Sequence, residues 1–258
     1  MGCRATAAML VASILVLSGC QGSSSVESSG SRAFTFCLFD LSGTTRTNRS
    51  SYSSDFNQVL SGLRGGDTLW VGAITQSSLA TGRIPLQLDV PSYSFFSSND
   101  DDYPEQVRSQ KNDFESRLDR WVTSQSTPRT TIFDSLLLAQ KVFHTDKAQT
   151  ASHKVLVIFS DMLEDDGTYD FETEEITPEV TRKILEHQSA LGRIPDLAGV
   201  TIFVAGATAN PHTNASRIHQ VQRFWQAYFQ AAGTPLPDAQ YGASLLAFSI
   251  PQSTSSEK

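Results

Sequence analysis

A run of mainly apolar residues at positions 34–39 is followed directly by Asp40, Ser42 and Thr44, which alternate along the chain. The β-forming residues of this run predict a buried strand whose carboxyl end delivers oxygen atoms to a loop. Open α/β sheets carry their binding sites at strand ends of this kind. A carboxylate and two hydroxyls suit Mg²⁺ or Ca²⁺, which prefer oxygen ligands. The alternative is an Asx or Ser/Thr turn that only closes the strand.

The length and charge of the chain limit its fold and its partners. With 258 residues, 39% of them hydrophobic, the chain can bury one sizeable core, and an α/β unit of about 200 residues fits as a single domain. Its 20 basic and 27 acidic residues give a net charge of −7, which disfavours binding to phosphate backbones and anionic headgroups. Nucleic acid is therefore not an expected partner.

The N-terminus has the features of a targeting segment. Arg4 supplies a positive charge, and residues 5–17 form an apolar run that is too short to span a bilayer as a helix. Residues 17–20, with the sequence LSGC, resemble the bacterial lipobox. That resemblance implies cleavage before Cys20, which would then carry a diacylglyceryl thioether and an N-acyl chain such as palmitate. Several acyl chains anchor a protein firmly to a membrane.

A second lipidation pattern overlaps the first. Residues 1–6, MGCRAT, also fit N-myristoylation with a palmitoylated neighbour at Cys3. A myristoylated protein has no use for a hydrophobic run that ends in a small-residue cleavage site, so the lipobox is favoured. Both patterns predict a membrane-tethered protein. The lipobox predicts the bacterial cell envelope, either in the periplasm or at the cell surface.

The predicted processing leaves Cys37 as the last unmodified cysteine, so no intramolecular disulfide is expected. The position of Cys37 inside the strand-like run predicts a small buried side chain. Residues 21–30 are rich in Ser and Gly, as a flexible tether would be. The predicted organisation is a signal peptide (1–19), a lipidated cysteine with its tether (20–33), a folded domain (34–250) and a polar tail (251–258).

Strand-like and helix-like runs alternate along the rest of the chain. Strands are predicted at 34–39, 68–75, 154–160, 200–205 and 241–250, with a possible short strand at 86–90. Helices are predicted over 105–122, 130–143, 177–191 and 214–232, and around the apolar residues of 56–63. The alternation predicts a doubly wound α/β fold, a mostly parallel sheet with helices on both faces. Its switch point would bring Asp40 and Asp161 together, with the turn at Thr130 close by.

Three segments resemble one protein family. Residues 40–44, DLSGT, resemble the D-x-S-x-S signature of von Willebrand factor A (VWA) domains, the fold also found in integrin I domains. Residues 130–136, TTIFDSL, are similar to that family's T-x-x-x-D-A-L segment, and residues 160–161 resemble its S-D-G strand end. The three segments occur in the family's order. The resemblance implies a VWA-like, Rossmann-like domain over nearly all of residues 34–250.

The resemblance also implies a metal-ion-dependent adhesion site. Ser42 and Thr44 would bind the cation directly, and Thr130 directly or through water. Asp40 and Asp161 would act mostly through water. Mg²⁺ is the favoured cation, with Mn²⁺ or Ca²⁺ as alternatives. Because few charges bind directly, the cation stays electron-poor, and an acidic residue of a protein partner can take the open position. The resemblance thus implies a protein-binding module and no catalysis.

The chain departs from the family's pattern at three points. Thr44 stands where the signature has a second Ser, which keeps the hydroxyl and adds a methyl group. Met162 stands where the family has Gly. Thr131 adjoins Thr130, so the third hydroxyl is ambiguous by one residue. Because some sites of this family bind no metal, a structural lipoprotein with a degenerate site is one alternative.

An enzyme is the alternative from another class. Residues 39–45 also resemble the D-x-D-G-T loop of haloacid-dehalogenase-type phosphatases, in which the first aspartate, here Asp40, is the nucleophile and Mg²⁺ assists. Asp165 and Asp166 could correspond to that family's distal acidic pair. Against this reading, Ser42 stands at the position of the general acid/base, and a hydroxyl lacks a suitable pKa near neutrality. No lysine is clearly placed for the phosphate either.

Seven acidic residues crowd the segment that follows Asp161. Their number predicts a solvated rim, or a rim that tunes or blocks access to a cation. They are Glu164, Asp165, Asp166, Asp170, Glu172, Glu174 and Glu175. The aromatic helical face around Trp225 is expected to belong to the core.

Overall fold

The computed structural model describes residues 31–42, 45, 49–93, 102–207, 214–246 and 248–251. Within these ranges, no helix combines the length and the apolar character that crossing a bilayer requires. Two of the predicted site residues, Cys20 and Thr44, lie outside the described residues. The predicted limits of the signal peptide, tether, domain and tail remain predictions.

Six strands form one sheet. They are β1 (Ala33–Asp40), β2 (Thr68–Ile74), β3 (Leu86–Asp89), β4 (His153–Phe159), β5 (Val200–Ala205) and β6 (Tyr241–Gly242). Their order is β3-β2-β1-β4-β5-β6. Every pairing is parallel except that of β2 with the edge strand β3. Because β1 pairs on both sides and is covered on both faces, all eight of its residues are buried.

Seven α-helices and a short 3-10 helix (Asp238–Gln240) occur within the described ranges. The α-helices are α1 (Arg49–Gly62), α2 (Ser78–Thr81), α3 (Asp102–Ser124), α4 (Ile132–Phe143), α5 (Asp146–Gln149), α6 (Pro178–Ala190) and α7 (Ala215–Ala231). The apolar residues of α4 and α7 form one core with one face of the sheet, and α6 adds Ile184 to it. The apolar residues of α1 and α3 form a second core on the opposite face.

The predicted doubly wound α/β fold, with a mostly parallel sheet and helices on both faces, is confirmed by this strand order and pairing. Buried Cys37 is confirmed as a small core residue, and burial raises the pKa of its thiol. The helical face around Trp225 is core, as predicted, because Trp225 and Tyr228 are completely buried. Helix α4 begins at Ile132, two residues later than predicted, because Thr131 is still in a non-helical conformation.

The strand predicted over residues 241–250 is wrong beyond Gly242. β6 ends there because the chain leaves the sheet and crosses to its other face. The carboxylate of Asp55 in α1 accepts a hydrogen bond of 3.1 Å from the amide of Leu245. Leu245 is buried in the core of α1 and α3, whereas Tyr241 is buried in the core of α4 and α7.

Candidate metal site

The pairing of β1 with β4 brings two acidic segments side by side. The register pairs Phe39 with Phe159, so Asp40 lies beside Ser160, and Asp161 follows one residue later. The hydroxyl of Ser160 donates to Asp40 Oδ2 at 2.8 Å, and the amide of Ser42 donates to Asp40 Oδ1 at 2.9 Å. The carboxylate of Asp40 is therefore fixed at the carboxyl edge of the sheet, where the sequence predicted a site.

Asp161 lies in a turn that Met162 stabilises. Met162 is a non-glycine residue with a positive φ, 63°, in the part of the chain that the structure describes. Its amide donates to Ser160 Oγ at 2.9 Å, and its carbonyl accepts from Trp225 Nε1 at 2.8 Å. The amide of Leu163 donates to Asp161 Oδ1 at 3.2 Å. Met162 thus keeps the left-handed backbone that suits a glycine.

The loop between α3 and α4 brings the third segment to the same edge. The amide of Thr127 donates to the carbonyl of Leu41 at 3.1 Å, and the carbonyl of Thr130 accepts from the amide of Asp165 at 2.8 Å. Thr127 also forms an isolated bridge with Ser42. The loop is therefore held on one side by the end of β1 and on the other by the segment after β4.

Four of the five predicted ligand residues occur in the described ranges and are almost completely buried. Asp40 is 0% exposed, Ser42 4%, Thr130 5% and Asp161 3%. The fifth, Thr44, lies outside those ranges. The neighbour of Thr130, Thr131, donates its hydroxyl to the carbonyl of Thr75 at the end of β2. That hydrogen bond directs the Thr131 hydroxyl toward β2 and favours Thr130 as the third hydroxyl of the candidate site.

This donor set fits a small oxygen-binding cation. Two carboxylates and two hydroxyls come from buried, hydrogen-bonded segments, and oxygen is the donor that Mg²⁺ and Mn²⁺ prefer. No cluster of three or more His, Cys, Asp or Glu with metal-holding placement occurs among the described residues. The candidate site is not a cluster of that kind, because it has only two carboxylates and its other donors are hydroxyls.

Glu164 is a buried acid that sequence reasoning missed. Its Oε2 accepts hydrogen bonds from the amides of Ile132 (2.8 Å) and Phe133 (3.1 Å), at the N-terminus of α4. Burial raises the pKa of Glu164 well above its usual value, and the charges of Asp166 and Asp134 raise it further. This carboxylate fixes the start of α4, which lies two residues after Thr130. It thereby supports the loop that carries Thr130.

The other acids after Asp161 form a partly exposed rim, as predicted. Asp165 pairs with Arg129 at 3.5 Å. Asp166 accepts the amides of Thr168 (2.7 Å) and Tyr169 (2.9 Å) in a local turn. Asp165 and Asp166 thus form local contacts within the rim. These contacts give no support to the phosphatase alternative, in which the two residues would be the distal acidic pair.

A groove adjoins the candidate site on the side of β2. It has a volume of about 440 Å³ and its lining includes Thr75, Arg83, Trp121 and Gln125. Thr75 links it to the loop of the candidate site through the hydrogen bond from Thr131. Trp121 is half-buried and Arg83 is exposed, so the groove combines an aromatic wall with one cationic side chain.

Several solved structures are similar to this chain, including the two that follow. The pilus adhesin SpaC of Lactobacillus rhamnosus GG, in an open conformation, has 8% sequence identity over 83% of this chain and 28% of that chain, with a TM-score of 0.46. A von Willebrand factor type A protein from Catenulispora acidiphila has 15% identity over 79% of this chain and 43% of that chain, with a TM-score of 0.36. This chain spans less than half the length of either. No family model and no curated protein matches it.

Proposed function

We propose that this protein is a lipid-anchored, VWA-like binding module that engages a protein partner through a divalent cation and performs no catalysis. The supporting observation is that three distant segments deliver buried oxygen donors to one edge of the sheet. They contribute Asp40, Thr130 and Asp161, each 5% exposed or less. Burying two carboxylates is unfavourable unless partners compensate their charge. A bound cation provides that compensation.

The residues of the site would have the roles that the resemblance implies. Ser42, Thr44 and Thr130 would hold the cation by their hydroxyls, and Asp40 and Asp161 would orient its water ligands. Mg²⁺ is the favoured ion, with Mn²⁺ or Ca²⁺ as alternatives. When bound, the cation supplies an electron-poor position for an acidic residue of the partner. The groove next to Thr75 offers such a partner additional contact area.

The lipid anchor at Cys20 would hold the module in the bacterial cell envelope, in the periplasm or at the cell surface. The LSGC segment and the apolar run before it support this part of the proposal. The net charge of −7 supports a protein partner over nucleic acid.

Metal-dependent stability tests the proposed site. Metal binds the native state in preference to the unfolded chain, so an ion at about 100 times its Kd stabilises the fold by ~2.7 kcal/mol. Mg²⁺ or Mn²⁺ should therefore raise the Tm of the full-length protein, purified in detergent and freed of metal, by a few degrees. Asp161→Ala should abolish this shift without unfolding the protein. Asp113→Ala, on the exposed side of α3, is the control and should keep the shift.

The same preparation separates the alternatives. Saturable metal binding without hydrolysis of p-nitrophenyl phosphate supports the binding module. Hydrolysis that disappears in Asp40→Asn would instead establish the phosphatase. The absence of any metal response at millimolar concentrations would leave the structural lipoprotein with a degenerate site.

A further inference from the structure

Tyr241 is a core residue with a buried hydroxyl. The residue lies in the short edge strand β6 and is 8% exposed. Its ring belongs to the same core as Met162 and Trp225. Its hydroxyl oxygen is buried and has no hydrogen-bond partner among the described residues. Phenylalanine would fill the same space in the core, so packing alone does not account for a tyrosine here.

An unpaired buried hydroxyl is unusual enough to require a reason. Leaving water without gaining a hydrogen bond is unfavourable, and most buried polar atoms in folded proteins have a protein or water partner. Tyr228 of the same core follows this rule, because its hydroxyl donates to the carbonyl of Arg193 at 3.1 Å. Tyr241 therefore differs from its neighbour in having no acceptor among the described residues.

The register of the sheet places Tyr241 near the edge that carries Asp161. Val204 of β5 pairs with Tyr241 on one side and with Ile158 of β4 on the other, three residues before Asp161. The amide of Ala207 donates to the carbonyl of Gly242 at 3.0 Å, which extends the pairing of β5 and β6 to the edge that carries the candidate site.

The charge of Asp161 reaches the phenol. Burial raises the pKa of Tyr241 far above its usual value, and the negative charge of Asp161 raises it further. A tyrosine hydroxyl can donate one hydrogen bond. The residue whose charge acts on Tyr241, Asp161, is also the carboxylate expected to orient the water ligands of a cation.

We propose that Tyr241 is a positioning residue of the candidate metal site, whose buried hydroxyl donates a hydrogen bond to a water ligand of the cation on the side of Asp161. This inference rests on the proposed function, because it requires a bound divalent ion. A fixed hydrogen bond to a ligand of a metal orients that ligand and strengthens binding. The unpaired hydroxyl of the protein then gains its partner when the hydrated ion arrives.

The test compares two conservative variants of the full-length protein in detergent, with Mn²⁺ alone as the probe. Tyr241→Phe keeps the ring and removes the hydroxyl, and it should weaken Mn²⁺ binding about tenfold when Kd is measured by titration calorimetry. Tyr228→Phe is the matched control, since it removes a buried hydroxyl of the same core that has its own protein acceptor. Its Kd should equal that of the wild type.

A second readout separates positioning from a purely structural role. Without metal, Tyr241→Phe removes an unpaired buried hydroxyl, so its Tm should equal or exceed that of the wild type. With Mn²⁺ at a fixed concentration, its Tm should rise less than that of the wild type. A structural role alone would change the metal-free Tm and leave the Mn²⁺-induced shift unchanged.

The outcomes also separate this inference from the proposed function. Equal Kd values for the wild type and Tyr241→Phe would overturn the role of Tyr241 and leave the metal site standing. No Mn²⁺ binding by the wild type would overturn both. If Tyr241→Phe does not fold, the inference is tested on the wild-type protein by ultraviolet difference spectroscopy. Mn²⁺ should then change the tyrosine ultraviolet difference spectrum, and an unchanged spectrum would overturn the inference.

Discussion

Met162 has a left-handed backbone, with φ 63°, and a completely buried side chain. Its two main-chain hydrogen bonds, to Ser160 and from Trp225, keep it in this conformation. The left-handed region costs a residue with a side chain about 1–2 kcal/mol. Removing a buried methionine side chain costs about 2–5 kcal/mol, so packing outweighs the strain at this position.

Met162→Gly should therefore destabilise the protein by about 1–3 kcal/mol, although glycine tolerates this backbone better. Urea denaturation of metal-free protein measures the change. Met162→Leu is the control, because it keeps both the strain and most of the buried volume and should lose less than about 1.5 kcal/mol. A glycine variant as stable as the wild type would contradict this account.

The positions of acids at strand ends could be predicted from the sequence more easily than the positions of acids in loops. Asp40 and Asp161 each follow an apolar strand, so their place at one sheet edge could be predicted. Glu164 belongs to a crowded acidic segment, and a single sequence does not distinguish the one buried member from its exposed neighbours. Its partners are the amides of Ile132 and Phe133, more than 30 residues earlier in the chain. Such a contact has no local pattern.

At the scale of elements, the N-terminus of α4 is stabilised by another segment. Thr131 is its N-cap residue but makes no side-chain capping hydrogen bond. Glu164 accepts the first two amides of the helix instead. A carboxylate at a helix N-terminus is favourable, yet its complete burial opposes ionisation. For Glu164, burial and the charges of Asp166 and Asp134 prevail and raise its pKa.

This opposition predicts how stability depends on pH. A raised pKa means that the folded state holds the proton more tightly than the unfolded chain, whose glutamate pKa is about 4.3. The contribution of Glu164 is therefore largest at low pH and is lost as pH rises through the folded-state pKa. In metal-free protein, the Tm of the wild type should fall by a few degrees more than that of Glu164→Gln as pH rises from about 5 to 8.

Glutamine keeps a carbonyl oxygen for the amides of Ile132 and Phe133 but does not titrate. Glu179→Gln on the exposed face of α6 is the control and should follow the wild type. Parallel pH profiles for the wild type and Glu164→Gln would contradict the predicted role of Glu164.

The elements were predictable where their hydrophobic pattern is local. Periodicity predicted β5 at its observed bounds and placed α7 within one residue at each end. Periodicity failed to predict the structure after Gly242, where apolar residues continue but pack against the opposite face of the sheet. The acceptor that holds this segment, Asp55, lies 190 residues from Leu245. A pattern of apolar residues does not reveal such a change of face.

At the scale of the whole molecule, the order of strands and helices was enough to predict the fold class. A parallel sheet requires crossover helices, and these cover both of its faces. The complete site was less predictable. Its geometry depends on the loop between α3 and α4, which reaches Leu41 and Asp165 through main-chain hydrogen bonds. Those contacts follow from the folded sheet and have no signature in the sequence.

The proposed lipid anchor makes its own prediction for the whole protein. Wild type should partition with membranes and incorporate labelled fatty acid, whereas Cys20→Ser should remain an unprocessed precursor, because the modified thiol is missing. Cys3→Ser is the matched control and should be processed normally. Membrane fractionation and fatty-acid labelling measure both. Normal lipidation of Cys20→Ser with loss in Cys3→Ser would instead establish the myristoyl–palmitoyl pattern.

The course of β1 also sets the distance between the start of the folded domain and the candidate site. The strand enters the sheet at Ala33, on the side of the proposed anchor, and ends eight residues later at Asp40. At about 3.3 Å per residue, it separates the two ends by roughly 25 Å. Any segment that precedes Ala33 therefore joins the domain at the edge of the sheet opposite the candidate site. If the proposed anchor precedes Ala33, the edge of the sheet farthest from its attachment point is the one that carries the site, where ligands on a facing surface or in solution can reach it.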